Sequence, residues 1–179
     1  VTVREWPNSE TVEPLRETLA AWLGGKRLPP LGFLTSPDTL GDRRDRRIVV
    51  AERAGVPVAY VALSPVPARR GWLTESVVRR PDAPNGAVEL CLREAAAGAD
   101  PTGFWTMGTV PLTGDLPAGW LRVVRDVVVL AGRSRYDVEG LRAFKAKFRP
   151  DRWTDTSVVA RGFGPGDLAA IALAFAARD

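Results

Sequence analysis

The sequence predicts an α/β protein built on a mixed, mostly antiparallel sheet with helices on its faces. Three observations carry this expectation. Short β-branched runs alternate with helical patterns instead of segregating into one class. The first two central strands are separated by a tight Arg53-Ala54-Gly55 turn, which pairs them as a hairpin. Then Trp72–Val78, a bend at Pro81 and Pro84, an apolar stripe of Val88, Cys91, Leu92 and Ala95, and Gly103–Val110 spell strand, turn, helix, strand.

In chain order, Val12, Leu15, Leu19, Trp22 and Leu23 recur at helical spacing. They predict a first helix over Ser9–Leu23, capped by Asn8 or Ser9 and stopped by Gly24-Gly25. Leu28–Leu34 reads as a semi-rigid proline link and Thr35–Leu40 as a loop. Ile48–Glu52 and Val56–Leu63 form the hairpin, and Ser64–Gly71 the next turn. Trp72–Val78 is a strand, and Asn85 is placed to cap the helix that follows. Past the Gly103–Val110 strand, the spacing of Trp120, Val124 and Val127 predicts a helix over 120–130, although its valine pairs would also suit a strand. Asp137 caps a short helix reaching Phe148, with Leu141, Phe144 and Phe148 on its buried side. Trp153–Ala160 is a strand and Gly166–Arg178 a last helix.

A chain of 179 residues is most simply one domain, here 1–179, with enough length to bury a core. Hydrophobic residues make up 45% and charged residues 26%, which argues against disorder. Cys91 is the single cysteine, excluding an internal disulfide and a multi-cysteine metal site. Histidine is absent, which excludes Ser-His and Cys-His catalytic pairs and any His-ligated zinc or haem. No metal or resident cofactor is expected. No apolar run is long enough to span a bilayer; Val123–Ala131 is interrupted by Arg125 and Asp126.

Net charge is +4 and the isoelectric point is near 9.8, with the excess locally concentrated. Arg43, Arg44, Arg46 and Arg47 crowd one loop and Arg69 and Arg70 another; such loops are solvated surface or a patch for phosphates of RNA or anionic lipid. Arg79 and Arg80 stand beside the start of the helix that follows Asn85 and Gly86. Two guanidinium groups next to unpaired helix N–H groups suit an anionic group, phosphate above all, or else are two solvated arginines on a surface loop.

Trp72-Leu73-Thr74-Glu75, Val77-Val78-Arg79, Pro81–Gly86 and Glu89-Leu90 resemble the signature of the C-terminal aminoacyltransferase domain of the bacterial phosphatidylglycerol lysyltransferases. Met107–Leu112, Tyr136-Asp137 with Gly140-Leu141, Phe144–Pro150 with Trp153, and upstream Leu31–Leu34 and Val49–Glu52 with Gly55 fit the same family in order. The resemblance covers most of Trp22–Val159. It implies the acetyltransferase-like version of the fold and transfer of an amino acid from aminoacyl-tRNA to a phosphatidylglycerol-type hydroxyl. It also implies a cytoplasmic site of action at the inner face of the membrane. Beginning at Val1 rather than a methionine, the chain reads as a piece excised from a longer protein, tandem-domain or membrane-anchored.

That reaction starts from an activated ester, so it needs alignment, a proton acceptor and oxyanion stabilisation. Without histidine the acceptor is a carboxylate or a water held by one, and Glu75 and Glu89 are the candidates; Glu89 also suits the helix dipole with no catalytic role. The resemblance makes Lys145 the oxyanion partner. Lys147 lies about 200° away around a helix and would be a second substrate contact; alternatively both lysines snorkel over an apolar face. Arg79, Arg80, Asn85 and Gly86 would hold the donor, and Tyr136 either bonds a substrate or packs. Ser76 stands where relatives commonly carry an aspartate, which leaves the role to Glu75 or leaves the domain a silent tRNA- or lipid-binding module. A coenzyme A-dependent acyltransferase is the other alternative, disfavoured because prolines occupy the turn that a glycine-rich pyrophosphate cradle would need.

Overall fold

The computed structural model describes residues 1–25, 39–41, 43–100, 102–110, 113–114, 119, 122–123, 125–126, 137–156, 164 and 166–167. Two compact units are distinguished, a larger one built on Val1–Gly108 and a smaller one built on Thr109–Phe163, each described by itself.

The larger unit is organised by a five-stranded sheet in the order β1 (Thr2–Glu5), β2 (Arg47–Arg53), β3 (Val56–Val66), β4 (Gly71–Arg79), β5 (Trp105–Thr106). The first four strands are antiparallel neighbours, and β5 is parallel to β4. The β2–β3 hairpin closes through Ala54 and Gly55, both at positive φ (52° and 79°), the two-residue geometry whose twist matches that of the strands. Ala54 adopts that conformation without glycine's freedom, so the pairing of the flanking strands holds it there.

Alternation along β2 and β3 gives the sheet two buried faces. Ile48, Val50, Tyr60, Ala62 and Val78 point to one side and pack with Leu15 and Leu19 of α1 (Glu13–Gly24), together with Trp6 and Leu40. Val49, Ala51, Ala59, Val61 and Leu63 point to the other, the side covered by α2 (Ala87–Ala97) through Val88, Cys91, Leu92 and Ala95. Each fully buried aliphatic side chain contributes about 1.5–3 kcal/mol, so the double-faced centre, β2 and β3, is the stable part of the unit. Thr18 lies fully buried on α1 and shares its hydroxyl between the Pro14 and Pro57 carbonyls, each at 3.0 Å, tying helix to hairpin.

Several boundaries differ from the sequence reading. The first helix starts at Glu13, not Ser9, because Pro14 sits in its first turn, where a missing N–H costs nothing. Its cap is Val12, without a side-chain bond, and the Asn8 amide instead donates to the Arg43 carbonyl. Strand β3 runs through Pro65 to Val66, and a 3-10 turn at Pro67–Arg69 connects it to β4. Strand β1 was not anticipated; it is a four-residue edge element paired with β2. Strand β5 is two residues long where eight were expected, with Gly108 at φ 71° just beyond it.

In the smaller unit, Asp137 caps α3 (Val138–Ala146) as expected, its carboxylate accepting from the Gly140 N–H at 2.7 Å. The helix ends at Ala146 rather than Phe148. Val138 is its buried residue, whereas Phe148 is exposed and meets Phe144 edge-on at 5.5 Å. Trp153–Thr156 are not in a strand, and 157–160 lie outside the described residues, as does most of the helix expected over 120–130 and the one over Gly166–Arg178. The proline link and most of the loop after it, 28–38, lie outside them too.

Candidate active site

The site is set by an irregularity in β4. Ala62 pairs with Ser76 while the next residue of β3, Leu63, pairs with Thr74, so Glu75 is the extra residue of a β-bulge. A bulge bends its strand and re-aims the side chains around it. Strand β5 pairs only with Trp72 and Leu73, so among the described residues β4 continues to Arg79 with no strand on that flank. The sheet therefore opens at the bulge. Below the opening, the Trp105 indole donates to the hydroxyl of buried Thr74 at 3.0 Å, pinning the last point of contact between β4 and β5.

Glu75 is held tightly at this position. Arg46 Nε and Nη2 donate to its two carboxylate oxygens at 2.8 and 3.0 Å, and the Ser64 hydroxyl donates to Oε2. Burial is the largest single influence on this carboxyl and pushes its pKa up, but the Arg46 and Ser64 bonds together with the Arg46 charge outweigh it and hold the group below its usual value. Held this way, Glu75 is an ionised anchor with both oxygens engaged, a weak proton acceptor until Arg46 lets go. Ser76 follows it, half-buried and paired with Ala62.

At the far end of β4 the predicted anion pocket is arranged differently. Arg79 Nη2 donates to the Ala83 carbonyl at 2.8 Å and to the Asn85 side-chain oxygen at 3.1 Å, so its guanidinium ties the turn together. Arg79 Nε is buried without a hydrogen-bond partner. Arg80 donates to Asp82 at 3.1 Å, an exposed pair in which the arginine lowers the pKa of the Asp82 carboxyl. Asn85 is not the helix cap; Gly86 takes that place at φ 86°, a conformation suited to glycine, and no side chain caps the first turn of α2. Glu89 sits in that turn, half-buried. A Cβ on Gly25 would come within 3.2 Å of Pro81, so the end of α1 abuts this same turn.

The arginine loops do not form one free patch beside it. Arg43 donates to the Asn8 and Glu10 carbonyls at 2.9 and 3.1 Å, Arg46 is bound to Glu75, and Arg47 pairs with Glu5 at 2.9 Å and lies 5.3 Å from the centroid of a Trp72 ring. Arg69 stacks on Phe104. Register also separates them: Arg47 pairs with Leu63, level with Thr74, whereas Arg79 pairs with Ala59. Five residues of strand span about 17 Å. Sequence could not show this pairing, because each arginine's partner is distant in the chain.

In the smaller unit, Lys145 Nζ donates to the Thr109 carbonyl at 2.9 Å, and partial burial lowers its pKa. Lys147, the residue closing α3, is exposed with its ammonium 5.8 Å from the Phe144 ring centroid, so the two lysines have different neighbours. Tyr136 lies outside the described residues. Glu75 and Glu89 belong to the larger unit and Lys145 to the smaller. Among the described residues, no cluster of acidic, cysteine or histidine side chains could hold a metal ion, and no helix is long and apolar enough to cross a membrane.

Several solved structures resemble this fold. L-PGS from Bacillus licheniformis superposes with a TM-score of 0.55 at 20% identity, over 83% of this chain and 47% of that one. The C-terminal domain of a protein described as a lysylphosphatidylglycerol synthetase from Agrobacterium fabrum does so with 0.52 at 21% identity, over 84% of this chain and 46% of that one. The chain thus spans about half the length of either structure. No curated protein sequence matches it. The pattern of the family described as phosphatidylglycerol lysyltransferase, C-terminal, matches residues 1–160, nearly the whole chain, and the protein belongs to that family.

Proposed function

We propose that this domain moves an aminoacyl group from aminoacyl-tRNA to the hydroxyl of a phosphatidylglycerol-type lipid, working in the cytoplasm at the inner face of the membrane. The observation that carries the reading is family membership over residues 1–160; Lys145, the lysine that the sequence resemblance singles out, is half-buried and hydrogen-bonded. In the reaction the lipid oxygen bonds to the ester carbonyl carbon, the bond to the tRNA ribose oxygen breaks, and the hydroxyl proton passes to that oxygen. Lys145 stabilises the intermediate oxyanion, a charge that exists only during reaction. Glu89, or a water it holds, accepts the proton, with Glu75 the alternative once Arg46 releases it. Glu75 and Ser76 then fix the shape of the opening at the bulge. The donor's terminal phosphate docks at Arg80, Gly86 and the uncapped start of α2, with Arg79 and Asn85 bracing the turn; Lys147 and Tyr136 are further proposed substrate contacts. No cofactor is required, because the ester is already activated.

Incubation with labelled aminoacyl-tRNAs and phosphatidylglycerol vesicles should place label in lipid. A second reading, a silent tRNA- or lipid-binding module, is favoured by one observation: the carboxylate nearest the opening is ion-paired and its neighbour is serine. Binding of tRNA without any transfer would select it. Coenzyme A as donor would show instead as binding of acetyl-coenzyme A with none of tRNA.

A further inference from the structure

We propose that the segment from Arg142 to Trp153 docks the protein on an anionic membrane surface, inserting Phe148 and Trp153 at the level of the lipid headgroups. These are the two exposed aromatic residues among the described ones, 36% and 48% accessible, and they lie five residues apart in the chain. Every residue from 146 to 156 is exposed. The segment leaves the end of α3 through a turn in which the Phe148 and Arg149 N–H groups donate to the Lys145 and Ala146 carbonyls, with Arg149 at φ 49°. Phe144 supports Phe148 edge-on, and the Arg142 guanidinium stands 5.6 Å from the Trp153 ring centroid.

The charge is complementary to an anionic bilayer. Between 142 and 153 the exposed cations are Arg142, Lys147, Arg149 and Arg152, apart from half-buried Lys145, with Asp151 as the single acid. Basic residues near anionic lipid each add attraction, and aromatic rings beside them suit the interface, apolar in body and tolerant of water at the rim. Nucleic acid would also meet cations and rings, but single strands are gripped in grooves where bases stack on a platform. A segment with no half-buried residue over 146–156 projects instead, as insertion into headgroups requires.

The proposal rests on the lipid-acceptor reading only for why a membrane should be the partner, and its test needs no catalysis. The full chain would be sedimented with vesicles of phosphatidylglycerol and phosphatidylcholine, without tRNA, alongside a Phe148→Ser/Trp153→Ser variant. Both side chains are exposed, so the variant should keep the wild-type thermal midpoint. Partitioning should fall on the order of tenfold in the variant, weaken with salt in the wild type, and vanish on pure phosphatidylcholine. Trp153→Phe should also remove the fluorescence component quenched by brominated lipid. Unchanged partitioning in the variant, or no binding of wild type to anionic vesicles, overturns the proposal. Loss of tRNA binding in the variant with vesicle binding intact overturns it in favour of RNA. Vesicle binding without label transfer leaves the docking surface standing while the catalytic reading falls. Transfer to detergent-dispersed phosphatidylglycerol without vesicle binding does the reverse.

Discussion

Replacing Arg46 with alanine separates the anchor reading of Glu75 from the reading in which it is a free base. In the fold the Arg46 and Glu75 side chains are about a quarter exposed (26% and 28%) and joined by two bonds, at 2.8 and 3.0 Å. Fully exposed pairs contribute about 0.2–1 kcal/mol, and hydrogen bonds to charged groups about 1.5–3 kcal/mol. The partial exposure places Arg46→Ala near 1.5 kcal/mol of lost stability at pH 7. The sign with pH follows from the lowered carboxyl. The folded state binds that proton less readily than the unfolded chain, so the pair's contribution is fully present above the ordinary glutamate value of 4.5. It is lost as pH falls below that value through the folded pKa. In Arg46→Ala burial persists with only the Ser64 bond against it, so this dependence flattens or reverses. Urea unfolding of wild type, Arg46→Ala, Glu75→Gln and the double variant, at pH 7 and pH 3.5, reads both effects. A coupling of about 1 kcal/mol at pH 7 that shrinks at pH 3.5 is expected. Additive variants at pH 7, or a coupling that grows in acid, would refute the anchoring.

Three further outcomes follow from the packing. Thr18→Val should cost about 1–2 kcal/mol in chemical denaturation, because the buried Pro57 carbonyl loses its donor. Gly71→Ala should cost about 3 kcal/mol or more: a Cβ there would run into the Phe104 backbone, so β5 must move, and near-ultraviolet circular dichroism should register the change around Trp105. Cys91, its thiol pushed up to about 12 by burial, should resist thiol reagents at pH 8 in the native protein and react at once in urea.

The strand–turn–helix at the heart of the fold was legible because its signals are local. Alternation marks Trp72–Val78, within the observed Gly71–Arg79, Pro81 and Pro84 end it, and the spacing of Val88, Cys91, Leu92 and Ala95 marks α2. The hairpin was legible for the same reason. Pro14 marks the true start of α1, while Asn8 and Ser9, capping types upstream, do not cap it. The bulge left only a faint trace, three adjacent polar residues, Thr74, Glu75 and Ser76, inside the strand. What decides the site's electrostatics was not legible at all. Arg46 reaches Glu75 across 29 positions, and Arg47 reaches Glu5 across 42. A loop of arginines therefore reads as solvated from sequence while its members serve the fold. Asn85 shows the complementary case: the residue type suits a cap, but Arg79 engages its oxygen first.

The most direct test of the proposed chemistry is single-turnover transfer of label from aminoacyl-tRNA to phosphatidylglycerol by wild type and Lys145→Ala, with tRNA affinity measured in parallel. Loss of an oxyanion partner should lower the transfer rate about 10²–10³-fold with tRNA binding nearly unchanged. Equal rates in the two proteins, or no lipid label from wild type with any aminoacyl-tRNA, would contradict it.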